Sequence, residues 1–470
     1  MSLLAVAGAN SASGGYDIDN SLKFEQDNSE QIHFTPSSAG NRRTWTFSCW
    51  LKRTELNLNH YIFNFGDEDY NQSGRTLMTF RTGVDQIWFG GGSAYQLKTS
   101  QVFRDVAAWY HIVLAVDTTQ ATDSNRLKLY VNGEQVTDFD ATSYPTQNFE
   151  YAANRNHKHS IGYNHTDNCC GFSGYMSEVA LIDGQQLTPS SFGETDDDSG
   201  IWKPKDLSTL TFGSNGFYLK FDDSSSLGAD SSGNTNNFTL SNITAADQAT
   251  DTPTNNFCTF NPLINTSNRP TINEGAMHVT GGGGTWNNAY GTMGVQNGKW
   301  YYEYKITDSD IGFFGASTFP DTADASNSSQ FMYDQSFTIG YSAGHYYQRI
   351  NGTQISNEGT GWGTAANGDI YGLFLNVDDQ EFTVFRNGTQ LSGTLSQPVS
   401  LNSAFSGHFV FPCNTQYEND GGEFNFGAYT LITNTRNYSD ANGHGAFVYE
   451  PKIGSTNYYS LCSKNLAEFG

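Results

Sequence analysis

From Asn20 onward apolar and polar residues alternate in short bursts: Leu22-Lys23-Phe24, then Gln31-Ile32-His33-Phe34, then Trp45-Thr46-Phe47-Ser48-Cys49-Trp50-Leu51. A period of two places every second side chain on one face, so each burst predicts a strand with one buried face. Turn-forming runs separate the bursts, among them Pro36 to Asn41, Gly90-Gly91-Gly92 and the hairpin dipeptide Asn132-Gly133. The same style resumes at Phe217-Tyr218-Leu219-Lys220-Phe221 and runs through Trp300 to Ile306 and on to Phe424-Asn425-Phe426. The pattern predicts antiparallel hairpins and meanders throughout, with Trp50, Trp109 and Trp300 inside alternating strands and therefore in cores.

The two halves share a local pattern. Leu127 to Val136 aligns with Glu381 to Leu391, each carrying Asn-Gly after a strand, and each follows a strand ending in Val-Asp, Val116-Asp117 and Val377-Asp378. At 470 residues the chain exceeds the size at which one core keeps growing, so two domains of roughly 200 residues are expected. Acidic, turn-rich stretches at Glu194 to Gly200 and at Ala245 to Asn256 are the two candidate boundaries. The expected division is an N-terminal arm over residues 1–18, a sandwich over 19–205, a connector with strands over 206–262, a second sandwich over 263–440 and a C-terminal extension over 441–470. The short apolar run Leu3 to Ala9 reads either as a frayed terminus or as an arm that docks on a partner, with docking the expectation.

Composition narrows the function. Forty-nine glycines and only 15% charged residues suit short strands joined by turns. The formal charge of -24 repels phosphate backbones and anionic membranes, so no nucleic-acid partner is expected. No apolar run approaches the roughly 20 residues that span a bilayer, and no basic residue precedes the apolar start, so neither membrane insertion nor a signal peptide is expected. The cysteines Cys49, Cys169, Cys170, Cys258, Cys413 and Cys462 show no CxxC spacing and read as free thiols of a protein made in a reducing cytosol; the adjacent Cys169-Cys170 pair is not expected to bridge.

Three segments of the first half resemble laminin G-like domains of the concanavalin A-like lectin/glucanase kind: Trp45 to Arg53, Trp109 to Asp117 and Leu127 to Gly133. Tyr175 to Thr188 resembles that family's closing strand, so the likeness extends over about residues 20 to 190. The second half resembles a SPRY domain through Gly298 to Tyr304, Ile311-Gly312-Phe313, Gly368 to Asp378 and Phe382 to Gly388. Together these imply an all-β chain of two concanavalin A-like jelly-roll β-sandwiches in tandem. The whole arrangement resembles large particle proteins of tailed phages, marine ones especially, through Ser37 to Trp50, Phe192 to Lys205 and Thr250 to Phe257. That resemblance implies a virion location and a non-enzymatic structural role: a tail fibre or receptor-binding appendage that binds host-surface glycan or protein, or alternatively a capsid decoration or assembly protein. Other virion proteins and further copies of the chain are the expected partners.

Catalysis is not expected. A retaining glycosidase on such a fold needs two carboxylates about 5 Å apart across one strand, whereas Asp67-Glu68-Asp69 and Asp196-Asp197-Asp198 sit in turns and Asp378 to Glu381 spans a hairpin. A polysaccharide-degrading enzyme and a secreted adhesin are therefore the remote alternatives. His157 and His159 fall in a predicted solvated loop, Asn154 to His159. Calcium is the one candidate ion and no cofactor is required: Asp67, Asp69 and Asn71 in the first half, and Asp222, Asp223, Asp230 and Asn234 later, supply the oxygens that a hard cation prefers. Glycan binding calls for aromatic rings beside amides and carboxylates. Trp88, Tyr95, Tyr163 and His165, and then Trp286, Tyr290, His345, Tyr346 and Trp362, flank Gly-rich turns that could present them.

Overall fold

The computed structural model describes residues 15–470 except 68–73, 92–93, 264–269, 283–285, 309–310, 319–335, 343–344, 351–352, 357–363, 393–396, 402–404 and 429–434. The proposed arm at Leu3 to Ala9 lies outside the described residues. Among them the chain is all-β with one short helix, Ser463–Phe469. It divides into two compact units between Thr254 and Asn255. Each is a sandwich of two mostly antiparallel sheets.

In the first unit one sheet runs, edge to edge, through Glu134–Gln135, Leu127–Val131, Trp109–Asp117, Thr44–Arg53, Gly174–Asp183, Ser21–Phe24 and Gln248–Ala249. The facing sheet runs through Phe139–Thr142, Ala94–Val102, Gln86–Gly91, Arg75–Phe80, His60–Gly66, His159–Ile161, Gln31–Phe34 and Thr239–Ser241. The alternating residues read from the sequence, Leu22, Phe24, Ile32, Phe34, Trp45 and Phe47, interleave between them. Trp50, Trp109 and Trp300 are buried as expected.

The expected connector 206–262 does not stand apart. Phe217–Leu219 pairs with the closing strand, Thr239–Ser241 with Gln31–Phe34, and Gln248–Ala249 with Ser21–Phe24. Buried charges add to this pairing: Lys23 Nζ meets Asp247 at 2.9 Å, and Lys52 Nζ meets Asp251 at 2.7 Å with both side chains fully buried. A chain cut at residue 205 would leave Lys23 and Lys52 without these acids.

In the second unit one sheet runs through Thr271–Asn273, His278–Thr280, Gly421–Asn425, Lys299–Ile306, Ile370–Asn376, Glu381–Arg386 and Thr389–Gln390. It faces a six-stranded sheet of Trp286–Tyr290, Val410–Tyr417, Ile311–Thr318, Ser336–Ser342, His345–Ile350 and Thr353–Ser356. The expected C-terminal extension joins this body. Tyr459–Ser460 pairs in parallel with Lys299–Ile306, and buried Glu303 accepts from the Val448 and Tyr449 amides at 3.0 and 2.8 Å.

The repeated Asn-Gly hairpin adopts one geometry in both units. Asn132 and Gly133 have φ of 48° and 84°, Asn387 and Gly388 of 48° and 77°, the left-handed pair a two-residue hairpin needs. Each asparagine side chain also accepts from the first paired amide of the neighbouring strand, His111 N at 2.8 Å and Ile370 N at 2.9 Å.

Two cysteine and histidine expectations are corrected. Cys169 and Cys170 are bonded to each other, and the other four cysteines are buried outside any disulfide; the tight turn at Cys170, with φ of 63°, brings the neighbouring sulfurs together. His159 is in the core rather than in solvent: it stacks on Phe65 with ring centroids 4.4 Å apart, and its Nε2 accepts from Asn154 N at 3.0 Å. Alternation across His159–Ile161 points it inward, and burial pushes it down to about 3, so the ring stays neutral.

Candidate functional site

The outer face of the sheet containing Trp88 carries a row of polar side chains in the first unit. Phe63 and Phe65 face the core, so Asn64 between them faces out; Ile32 and Phe34 leave His33 outward, and His159 and Ile161 leave Ser160 outward. Ser160 pairs with His33 on one side and Asn64 on the other, which makes a row across three adjacent strands.

The loop after Ile161 folds back over this row. Asn64 Nδ2 donates to Asn164 Oδ1 at 2.7 Å and Thr166 Oγ1 at 3.0 Å. Arg75 reaches up with a two-pronged contact to Asp167, at 2.6 and 3.2 Å, and a third to Asn164 Oδ1 at 3.0 Å. His165 Nε2 donates to the Gly66 carbonyl at 3.1 Å. Asn164 and Cys169 exchange both backbone hydrogen bonds, and the Cys169–Cys170 bond closes the turn. Burial, ahead of the neighbouring cations, pushes His165 down to about 4, so its ring is neutral.

The sequence candidates divide around this loop. His165 lies in it and Asp67 lies at its margin, paired with Arg155 at 3.2 Å and with His157 Nδ1 at 3.4 Å. Tyr163 is buried, its hydroxyl on Asn168 at 3.3 Å, so its ring is no stacking platform. Trp88 is half-buried on the same sheet with Arg81 4.8 Å and Lys98 5.1 Å from its ring, so cations already occupy its π surface. Tyr95 belongs to the Ala94–Val102 strand, its backbone opposite Gly90.

The calcium candidates are not brought together. Asp69 and Asn71 lie outside the described residues. Asp222 pairs with Lys220 at 3.5 Å, and Asp223 caps the turn at Ser225. Asp230 takes the amides of Tyr218, Ser232 and Asn236, all at 2.9 Å, while Asn234 donates to the Gly213 and Gly216 carbonyls. These groups fold their own loops. Among the described residues no three His, Cys, Asp or Glu side chains cluster as metal ligands.

In the second unit Trp286, Tyr290, His345 and Tyr346 fall on one six-stranded sheet, and Trp362 lies outside the described residues. Tyr290 is core, packed with Phe411 and Cys413. Trp286 is half-buried against Tyr417 and Phe313, with centroids 4.9 and 5.7 Å away, and Asn288 beside it accepts from Thr415 at 2.7 Å. This is a partly open aromatic surface with an amide at its edge.

Two strongly displaced groups, His111 and Glu178, are structural. His111 Nδ1 accepts from the Trp202 indole at 2.9 Å, so Nε2 carries the proton and donates to Ser48 at 2.9 Å. A serine that receives this proton is not being activated by it. Glu178, pushed up to about 7 by burial, is held by the Tyr218 and Tyr16 hydroxyls. His33, Asn64, Arg75 and Ser160 were not singled out from sequence. Alternation gives their outward direction but not the loop that covers them.

Residues 26–191 match the concanavalin A-like lectin/glucanases superfamily, in its laminin G form. Among solved structures the chain is similar to the SPRY domain of human HERC1, at 14% identity over 34% of this chain and 92% of that one, with a TM-score of 0.26. It is similar also to the TRIM65 PSpry domain, at 13% identity over 36% and 88%, with a TM-score of 0.28. No curated protein matches.

Proposed function

We propose that this chain is a non-enzymatic binding protein of a phage virion, a tail fibre or receptor-binding appendage whose first sandwich engages host-surface glycan. The observation that carries the reading is the loop-covered polar face around Asn64, Arg75, Asn164 and His165, on a sandwich that matches a lectin-like family. The half-buried Trp286–Tyr417 pair beside Asn288 supplies a second surface suited to sugar or protein contact. The non-catalytic part is supported by where three displaced acids lie: Glu30, Glu178 and Glu303 are enclosed and committed to structural partners. The virion part rests on the resemblance of Ser37 to Trp50, Phe192 to Lys205 and Thr250 to Phe257 to tailed-phage particle proteins.

The test is binding of the purified chain to candidate host cells and their extracted polysaccharide, with sugar release assayed in parallel. Saturable binding without release is the expected result. Released oligosaccharide would overturn the non-catalytic reading, and absence of binding would favour a decoration role.

A further inference from the structure

The row beneath the Asn164–Cys170 loop contains polar atoms that the fold itself does not use. The Ser160 hydroxyl, Asn64 Oδ1, His33 Nδ1 and His165 Nδ1 are buried and make no hydrogen bond within the protein, and the Ser160 and Asn64 side chains are fully enclosed. Leaving one such atom unpaired costs about 1–3 kcal/mol, so four around one row are a poor solution for stability alone.

The chemistry of these atoms defines what they would receive. His165 Nε2 donates to a carbonyl, so its Nδ1 presents a bare lone pair. Asn64 has committed its amide N–H groups to the loop, which leaves Oδ1 as an acceptor. Ser160 both donates and accepts, and His33 presents whichever role its tautomer sets. Formal charge is nearly absent: Arg75 is neutralised by Asp167, and burial reinforced by the nearby Lys158 keeps both imidazoles uncharged. Bare acceptors disfavour an anion, and the donors disfavour a cation. Uncharged acceptors beside a hydroxyl that both donates and accepts match a set of hydroxyl groups.

We propose that His33, Ser160, Asn64 and His165 form a binding site for an uncharged, hydroxyl-rich ligand, a sugar residue of the host-surface glycan, entered when the Asn164–Cys170 loop lifts. The assignment rests on the glycan-binding reading above and names the place and ligand class. Lifting the loop exchanges its hydrogen bonds to Asn64 and the Arg75–Asp167 ion pair for contacts of the ligand.

The experiment is histidine-selective nitrogen NMR of the full chain, titrated separately with glucose, galactose, mannose and inorganic sulfate, for the natural chain and for Ser160→Ala. The Ser160 hydroxyl makes no hydrogen bond in the fold, so the variant should melt no lower than the natural chain. At least one hexose should move the His33 and His165 resonances saturably, and Ser160→Ala should weaken that sugar by about tenfold. Movement with sulfate alone would overturn the uncharged-ligand assignment, and no movement with any hexose would mean the row holds structural water only. Host-polysaccharide binding that persists unchanged in Ser160→Ala, with no hexose shift, would sink this site while leaving the glycan reading intact. Loss of both in the natural chain would sink the reading as well.

Discussion

A histidine or carboxyl group of this chain is defined by its enclosure more than by its type. His111 lies between Trp50 and Trp202, with centroids 4.7 and 5.9 Å away, and the Trp202 indole sits so close that a Cβ on Gly133 or Gly193 would fall 2.5 Å from it. Trp202→Ala removes that cover and leaves His111 Nδ1 unpaired, and should destabilise the first unit by about 3 kcal/mol in chemical denaturation. Glu178 titrates near 7 folded against 4.5 for the free side chain, chiefly through burial. Across that window the folded chain holds a proton that the unfolded chain has released. Its contribution is therefore complete below about 4.5 and is lost as pH rises through about 7. Buried His111, at about 3 against 6.5, acts with the opposite sign and loses its contribution as pH falls through that range. Glu178→Gln should isolate the first effect: the natural chain should lose about 3 kcal/mol relative to the variant between about pH 5 and pH 8. Equal pH profiles for the two proteins would show that the carboxyl is solvated. None of this was legible in sequence, where His111 and Glu178 are alternating residues of strands like any others.

At the level of elements, strands and tight turns were the most legible parts. Lys128 to Val131 with Asn132-Gly133 predicts its hairpin because only left-handed φ values close a two-residue turn without splaying the strands. The hairpin at Asn387-Gly388 repeats it, down to the side-chain oxygen held by the neighbouring strand. The edges of the first unit were not legible, because strands of two or three residues such as Gln248–Ala249 carry too few positions to show alternation. What holds that segment is Asp251, which takes Lys52 at 2.7 Å and the Trp109 indole at 2.9 Å in a fully buried site. Asp251→Ala strands a buried ammonium and should cost about 3–5 kcal/mol. A fragment ending at residue 205 should fail to give a cooperative melt, whereas one covering 12–254 should give it. A stable shorter fragment would show that the last strands are only packed against a finished sandwich.

For the molecule as a whole, two sandwiches follow from length and from the repeated two-residue period, and the acidic surface sets what they meet. A charge of -24 makes electrostatic capture of anionic surfaces unfavourable, so binding to host polysaccharide should persist as salt is raised. Steep loss with salt would indicate a basic patch and a different ligand. The carboxylates nominated for calcium that fall among the described residues are engaged as turn caps and ion pairs, and chelation should leave the melting temperature unchanged; a drop would place an ion on these loops. Alternation, Asn-Gly turns and chain length were enough to determine an all-β chain of two sandwiches, because a strand's buried face and a hairpin's backbone angles are local properties. Only the tertiary structure decided that His159 is core, that Cys169 joins Cys170, that residues 206–254 complete the first sandwich, and that His33, Ser160 and Asn64 line up under one loop. Those outcomes depend on which strands become neighbours and which loop covers them, and residues far apart in the chain settle that jointly.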